Sequence, residues 1–303
     1  MTVIDAPLEK LEAASETSRN ELSNRWASMG ALIIAVLWTV PTAGLLVTSF
    51  RPEDDINSSG WWNVITHPSF TFDNYKAVLG GSQYSLTDFF VNSFVITIPA
   101  VIIPISIATM AAYAFAWMSF PLKNTLFILI FALQIVPIQV TMIPLLKLYV
   151  DLGLAGNDAP GGGFYTIWLS HSVFALPLAI YLLHNFMMEI PGELVESARV
   201  DGAGHVQIFM RLIVPLMVPA IAAFAILQFL WVWNDLLVAL VFGGGSLDIS
   251  PLTVALANLS GTRGADWYLL SAGAFVSLVV PLAVFLGLQR FFVRGLLAGS
   301  VKG

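Results

Sequence analysis

The sequence predicts an all-α integral membrane protein with six transmembrane helices, and three observations lead there. Hydrophobic residues make up 57% of the chain and charged residues only 11%, whereas soluble domains carry charge on about a quarter of their residues. Six runs are long enough to cross a hydrocarbon core, which takes about 20 apolar residues: roughly 28–50, 88–117, 124–148, 164–188, 213–242 and 267–292. The basic residues then divide unequally between the two sides. Lys10, Arg19, Arg25, Lys123, Arg199, Arg211, Arg290, Arg294 and Lys302 share one side, while Arg51, Lys76, Lys147 and Arg263 fall on the other. The richer side is cytoplasmic by the positive-inside rule, so both termini are expected there and the chain belongs in the cell membrane.

Residues 1–27 mix acids and bases with few large apolar groups, so a cytoplasmic tail is expected, followed by a six-span membrane domain over 28–303. They lack the basic start and short apolar core of a signal peptide. The first external segment, 51–87, carries Trp61 and Trp62, which read as an aromatic belt at the interface. Glycine runs at 161–163 and 243–245 leave two other external loops flexible. Pro99, Pro104, Pro137, Pro144, Pro177, Pro219 and Pro281 lie inside spans, where each frees a backbone carbonyl that must find protein, a hydroxyl or water.

The second half has one long polar interruption, 189–212, between the fourth and fifth spans. Pro191 with Glu193 and Glu196 reads as a helix start with acids near its positive end. Leu194, Val195 and Ala198 recur at the spacing of one apolar stripe. Gly202 and Gly204 then permit a sharp turn, giving an elbow small enough to fit a groove in a soluble partner. Glu196-Ser197-Ala198, three residues, Gly202, nine residues, Leu212 and Val214-Pro215 resemble the Glu-Ala-Ala signature of ABC importer permeases. Ser197 in place of Ala, Leu212 in place of Ile and Val214 in place of Leu are mild departures from that pattern. The resemblance implies the type I importer architecture, with this elbow docking on an ATPase subunit through residues 193–210. Glu193, Leu194, Glu196, Ala198, Asp201, Gly202 and Ala203 would be the coupling residues, with Leu194, Val195 and Ala198 filling the partner's groove.

Polar side chains inside hydrocarbon are costly and usually face an interior. Asn92, Gln134, Gln139, Gln228, Asn234 and Asp235 are such residues, and His171 joins them as an interior group. Gln228, Trp231 and Asp235 stand at i, i+3 and i+7, on one face of a continuous helix. Amides, a carboxylate and an indole suit a sugar, whose hydroxyls need partners and whose ring needs a flat apolar wall; a polar seam packed on a neighbouring span would use the same residues. Gln228, Trp231, Asn234, Asp235, Gln134 and Asn92 are therefore the candidate substrate path, with Asn234 and Asp235 toward its outer mouth. Trp233-Asn234-Asp235-Leu236 resembles a phrase of sugar-importer permeases, and Phe70-Thr71-Phe72-Asp73-Asn74-Tyr75 resembles another that precedes their second span. Together they narrow the resemblance to the carbohydrate branch, of the maltose and α-glucoside type.

No phosphate-binding loop, zinc-protease motif or nucleophile elbow is present, so the chain is expected to be non-catalytic. Cysteine is absent, removing disulfides and thiolate metal sites. The net charge of −6 comes with no basic run, so no nucleic acid is expected as a partner. The resemblance implies a complex of two permease subunits, an ATPase dimer that holds the ATP and Mg, and an extracytoplasmic sugar-binding protein. This chain would bind no cofactor itself and would contact membrane lipid. The alternative is a proton- or ion-coupled secondary transporter of a small polar solute, which calls for ionisable pairs or repeated broken helices.

Overall fold

The computed structural model describes residues 25–80, 85–155, 163–261, 264 and 266–298. The tail over 1–24, Gly161, Gly162, Arg263 and Lys302 lie outside the described residues, as do the side chains of Arg25, Arg290 and Arg294. Among the described residues there is no strand. The helices are α1 (Arg25–Ser49), α2 (Glu53–Ser58), α3 (Asp73–Gly80), α4 (Thr87–Trp117), α5 (Lys123–Ala132), α6 (Ile138–Asp151), α7 (Phe164–Met187), α8 (Gly192–Val200), α9 (His205–Ile208), α10 (Val214–Trp233), α11 (Leu237–Phe242), α12 (Leu252–Ser260) and α13 (Trp267–Ala298). A π-turn over Phe209–Ile213 joins α9 to α10, so the fifth span runs unbroken from His205 to Trp233.

Among the described residues, five helices are long and apolar enough to cross a membrane, and the pair α5–α6, bent by 105°, makes a sixth when counted as one span. The expected third span over 124–148 is therefore two half-helices. Pro137 explains the break, because it lacks the N–H and pushes Val136 out of the helical region, to φ −73° and ψ 120°. The fifth span also ends earlier than expected, at Trp233 rather than 242. Asn234 donates to the Leu230 carbonyl at 2.7 Å, and Asp235 Oδ2 accepts the Ala239 N–H at 3.1 Å. Short polar side chains compete in this way for backbone partners and stop one helix while capping the next.

The chain falls into two compact units: residues 1–75 with 267–275, and residues 76–266 with 276–303. In the first, the phrase from Phe70 to Tyr75 forms a clamp. The Thr71 N–H reaches the Phe50 carbonyl, the buried Asn74 amide donates to the carbonyls of Ser49 and Arg51, and the Tyr75 hydroxyl meets Ser49 Oγ at 2.7 Å. These bonds satisfy the orphan carbonyls at the end of α1. Gly44 lets the Trp61 indole lie on α1, since a Cβ there would stand 2.8 Å from its Nε1.

The second unit is built on α4 and α7. Ala100, Ala108, Ala112 and Ala179 are fully buried, and such small residues let helix backbones approach closely without a bulky core between them. Leu183, Met187, Ile213 and Met217 fill the space toward one end.

Three prolines then stitch the helices together. Pro104 removes the N–H that would bond Ala100, and the Gln228 amide of α10 donates to that carbonyl at 3.2 Å. Pro99 frees the Val95 carbonyl, which the Trp168 indole of α7 reaches at 2.9 Å. Pro281 frees the Ser277 carbonyl, met by the Trp233 indole at 3.2 Å. Trp233 is 98% buried, stacked on Phe229 and edge-on to Phe90 and Phe94, so it packs rather than binds solute. Trp233→Phe should cost about 1–3 kcal/mol, because it orphans a carbonyl in an apolar setting. Pro281→Ala returns a helical N–H to Ser277, so Trp233→Phe should cost clearly less in that background. Detergent denaturation of the four proteins of this cycle measures the difference, and equal costs in both backgrounds would refute the stitch.

Candidate functional site

Two places in the second unit carry candidate chemistry. The first is a cavity of about 280 Å³ lined by Gln134, Ile138, His171, Phe174, Ala175, Leu178, Gln228, Trp231, Asp235 and Val238. It lies where two spans stop: Gln134 belongs to the last turn before the α5–α6 break, and Asp235 to the turn between α10 and α11. Gln228, Trp231 and Asp235 do not share one continuous helix face as expected, because α10 ends between the last two. They meet nonetheless, since the turn after Trp233 carries the Asp235 carboxylate back toward α7. Gln228 is 97% buried and anchored through its NH₂ on Ala100, whereas half of the Trp231 surface is open.

Two of the expected path residues are elsewhere. Asn92 donates to the carbonyls of Asp248 and Ser250 at 2.8 and 3.1 Å, holding the segment before α12 on α4. Asn234 is exposed and bonded to its own helix. Neither lines the cavity. His171 does, with Nε2 3.8 Å from Asp235 Oδ2. The signal for it in the sequence was a lone imidazole, flanked by Ser170 and Ser172, within a long apolar span.

The second place is the elbow. Asp201 ends α8, and Gly202 follows at φ +83°. The Gly202 N–H returns to the Arg199 carbonyl at 3.0 Å and the Ala203 N–H to the Ala198 carbonyl at 2.9 Å, the paired bonds of a Schellman stop. Gly202 therefore stands where the chain must turn left-handed, one residue past the helix cap. Two bonds pin the elbow to the end of α4: Arg199 donates to the Trp117 carbonyl at 3.1 Å, and the Tyr113 hydroxyl meets His205 Nδ1 at 3.0 Å.

This anchoring corrects the expected use of the apolar stripe. Val195 is 98% buried among residues of this chain, and Ala198 and Ala203 pack against the same cluster. Val195 therefore has no surface to offer a partner's groove, and Ala198 and Ala203 offer only part of theirs. The outward surface carries Glu193, Leu194, Glu196, Asp201 and Gly202, with Val200, Val206 and Met210 also exposed. Sequence periodicity identified the stripe but not which body it faces.

Residues 104–297, which hold both places, match the family described as "Binding-protein-dependent transport system inner membrane component". A permease protein for uptake of osmoprotective compounds in Synechocystis is 52% identical, with 96% of this chain and 99% of that protein covered. The chain belongs to this family. It is thus a permease subunit of an ABC importer, a multi-pass and non-catalytic membrane component. The alpha-glucoside transport system permease protein of Rhizobium meliloti is 38% identical over 92% of this chain and 97% of its own, in keeping with the carbohydrate-type resemblance. A crystal structure of a bacterial ABC transporter importing the acidic polysaccharide alginate shares the fold, with a TM-score of 0.69 at 21% identity over 89% of this chain and 98% of that one.

The space around Gly202 is open, with no atom within 4 Å of a built Cβ, so a side chain there pays only for its backbone conformation. That cost is about 1–2 kcal/mol for most residues and less for Asn, which tolerates left-handed φ. Trypsin cleavage after Arg199 should therefore be slowest in the native permease, intermediate in Gly202→Asn and fastest in Gly202→Leu, with the last at least about fivefold above native. Equal cleavage rates across the three would show that the Schellman stop does not order the elbow.

Proposed function

We infer that this permease forms half of the translocation path of an ATP-driven importer for a neutral di- or oligosaccharide. The observation that carries this reading is the cavity, which joins two amides, a carboxylate and a half-open indole where two spans stop. Hydroxyl partners beside a flat apolar wall are what a sugar ring requires. The name of the α-glucoside permease and the family's dependence on a binding protein support the same reading.

The second half of the path is a second permease subunit. Around the 136–137 break, Ile135, Val140 and Ile143 are each more than two-thirds exposed, and non-helical backbone at membrane depth needs protein or water beside it. A partner permease supplies the protein and the path supplies the water. The elbow docks on one subunit of an ATPase dimer, which holds ATP and Mg while this chain binds no cofactor. Its exposed acids Glu193, Glu196 and Asp201 meet basic groups there, and Leu194 with Val200 supplies apolar contact. An extracytoplasmic sugar-binding protein delivers the solute to the opposite end. Both termini and the elbow are cytoplasmic, the chain lying in the plasma membrane in contact with lipid.

The test is uptake of labelled maltose by proteoliposomes containing both permeases and the ATPase dimer, driven by ATP and the binding protein. Trp231→Ala should lower uptake by about tenfold, as a stacking wall is lost, while assembly with the ATPase is unchanged. Glu196→Lys should instead abolish binding-protein-stimulated ATP hydrolysis. Native uptake in Trp231→Ala would remove the cavity from the path. A single cysteine at 196, in this cysteine-free chain, should resist membrane-impermeant labelling of intact cells; labelling from outside would invert the topology.

A further inference from the structure

His171 and Asp235 face each other across the cavity without bonding. Their 3.8 Å separation between Nε2 and Oδ2 exceeds a hydrogen bond, yet one atom can bond both. An atom about 2.8 Å from each would be held at an angle of roughly 85° between them, within reach of a donor and an acceptor on the same oxygen. Both groups are held before any solute arrives. Asp235 Oδ2 accepts the Ala239 N–H, and the Asp235 carbonyl accepts the Thr253 hydroxyl at 2.6 Å. His171 is 92% buried in α7. A carboxylate offers about four acceptor positions, so capping α11 leaves Asp235 room for another donor.

The chemistry of the gap selects its occupant. The Asp235 charge favours the imidazole tautomer with its proton on Nε2, facing the carboxylate. The bridging atom must then give a proton to Asp235 and accept one from His171. A hydroxyl does both. A solute carboxylate has no proton to give, and an ammonium has no lone pair to offer. Resting on the cavity as the sugar path, we propose that His171 and Asp235 are the specificity-determining pair of this permease: one sugar hydroxyl donates to Asp235 and accepts from His171. Phe174 and Trp231, on the same cavity, supply the flat walls that bring the ring to this register.

The experiment uses the full complex in proteoliposomes, with maltose and its monodeoxy analogues offered in turn. The preference of the binding protein is common to every permease variant and cancels in the comparison. The native permease should use one monodeoxy analogue about tenfold less efficiently than maltose, because a site built for a hydroxyl is left unpaired without it. His171→Leu should reduce that one preference to threefold or less and leave the other positions unchanged. Asp235→Ser keeps a cap for α11 but withdraws the carboxylate from the cavity; it should relax the same position and no other, which a merely structural loss would not do. Unchanged relative use of every analogue in both variants, with uptake still reduced in Trp231→Ala, would overturn the pair and leave the path standing. Native uptake in Trp231→Ala would overturn the path, and the pair with it.

Discussion

The fold depends on carbonyls that proline sets free. An ordinary transmembrane helix satisfies its own backbone and has little reason to prefer one neighbour over another, since lipid is as apolar as leucine. Each proline in α4 and α13 breaks that self-sufficiency at one carbonyl, and in an apolar medium the orphan must be met. The donors that meet Ala100, Val95 and Ser277 come from three particular side chains, Gln228, Trp168 and Trp233. The pairing of α4 with α7 and α10, and of α10 with α13, is thus specified by a few directed bonds laid over non-directional packing of alanines. One such bond also builds the site: fixing the Gln228 NH₂ on Ala100 settles where the rest of that amide can point.

The cavity arises from failures of helix continuity. Pro137 turns α5 into α6 through 105°, and Asn234 with Asp235 ends α10 before α11 begins. Both interruptions put polar atoms where a straight helix would present only side chains. Gln134 and Asp235, the residues at the two stops, line one hollow together.

The six apolar runs and the left-handed glycine of the elbow were legible because each rests on local chemistry: span length, and a helix end that requires positive φ. Four of the six residues expected on the path line the cavity, and Gln134, Gln228 and Asp235 were legible for a related reason, as polarity in an apolar run signals an interior position. What the sequence did not separate is the kind of interior. Asn92 and Trp233 answer backbone carbonyls, Gln228 does so while also facing the cavity, and His171 lines it without having been chosen. Residue type alone is the same in each case, and only the neighbour decides. Val195 and Ala198 show this on the elbow, where a stripe at helical spacing is equally good for a partner's groove or for the chain's own core. The Phe70–Tyr75 phrase is a further instance, for its resemblance to a family phrase did not say that it caps α1.

Elbow and cavity share one element. From His205 the helix runs through the π-turn and α10 to Trp233 without a break, and Trp231 on its last turn forms a wall of the cavity. At 1.5 Å per residue, His205 and Trp231 are roughly 39 Å apart along a single rod. The lower end of that rod is fixed to α4 by Tyr113, and its upper part by the bond from Gln228 to Ala100. A displacement of the rod itself is not absorbed at Gly202, which lies before His205. The places left to yield are the π-turn, where hydrogen bonding departs from the regular ladder, and the Asn234–Asp235 stop. The second adjoins the cavity, so a strain carried along the rod would reach first the turn that holds Asp235 opposite His171.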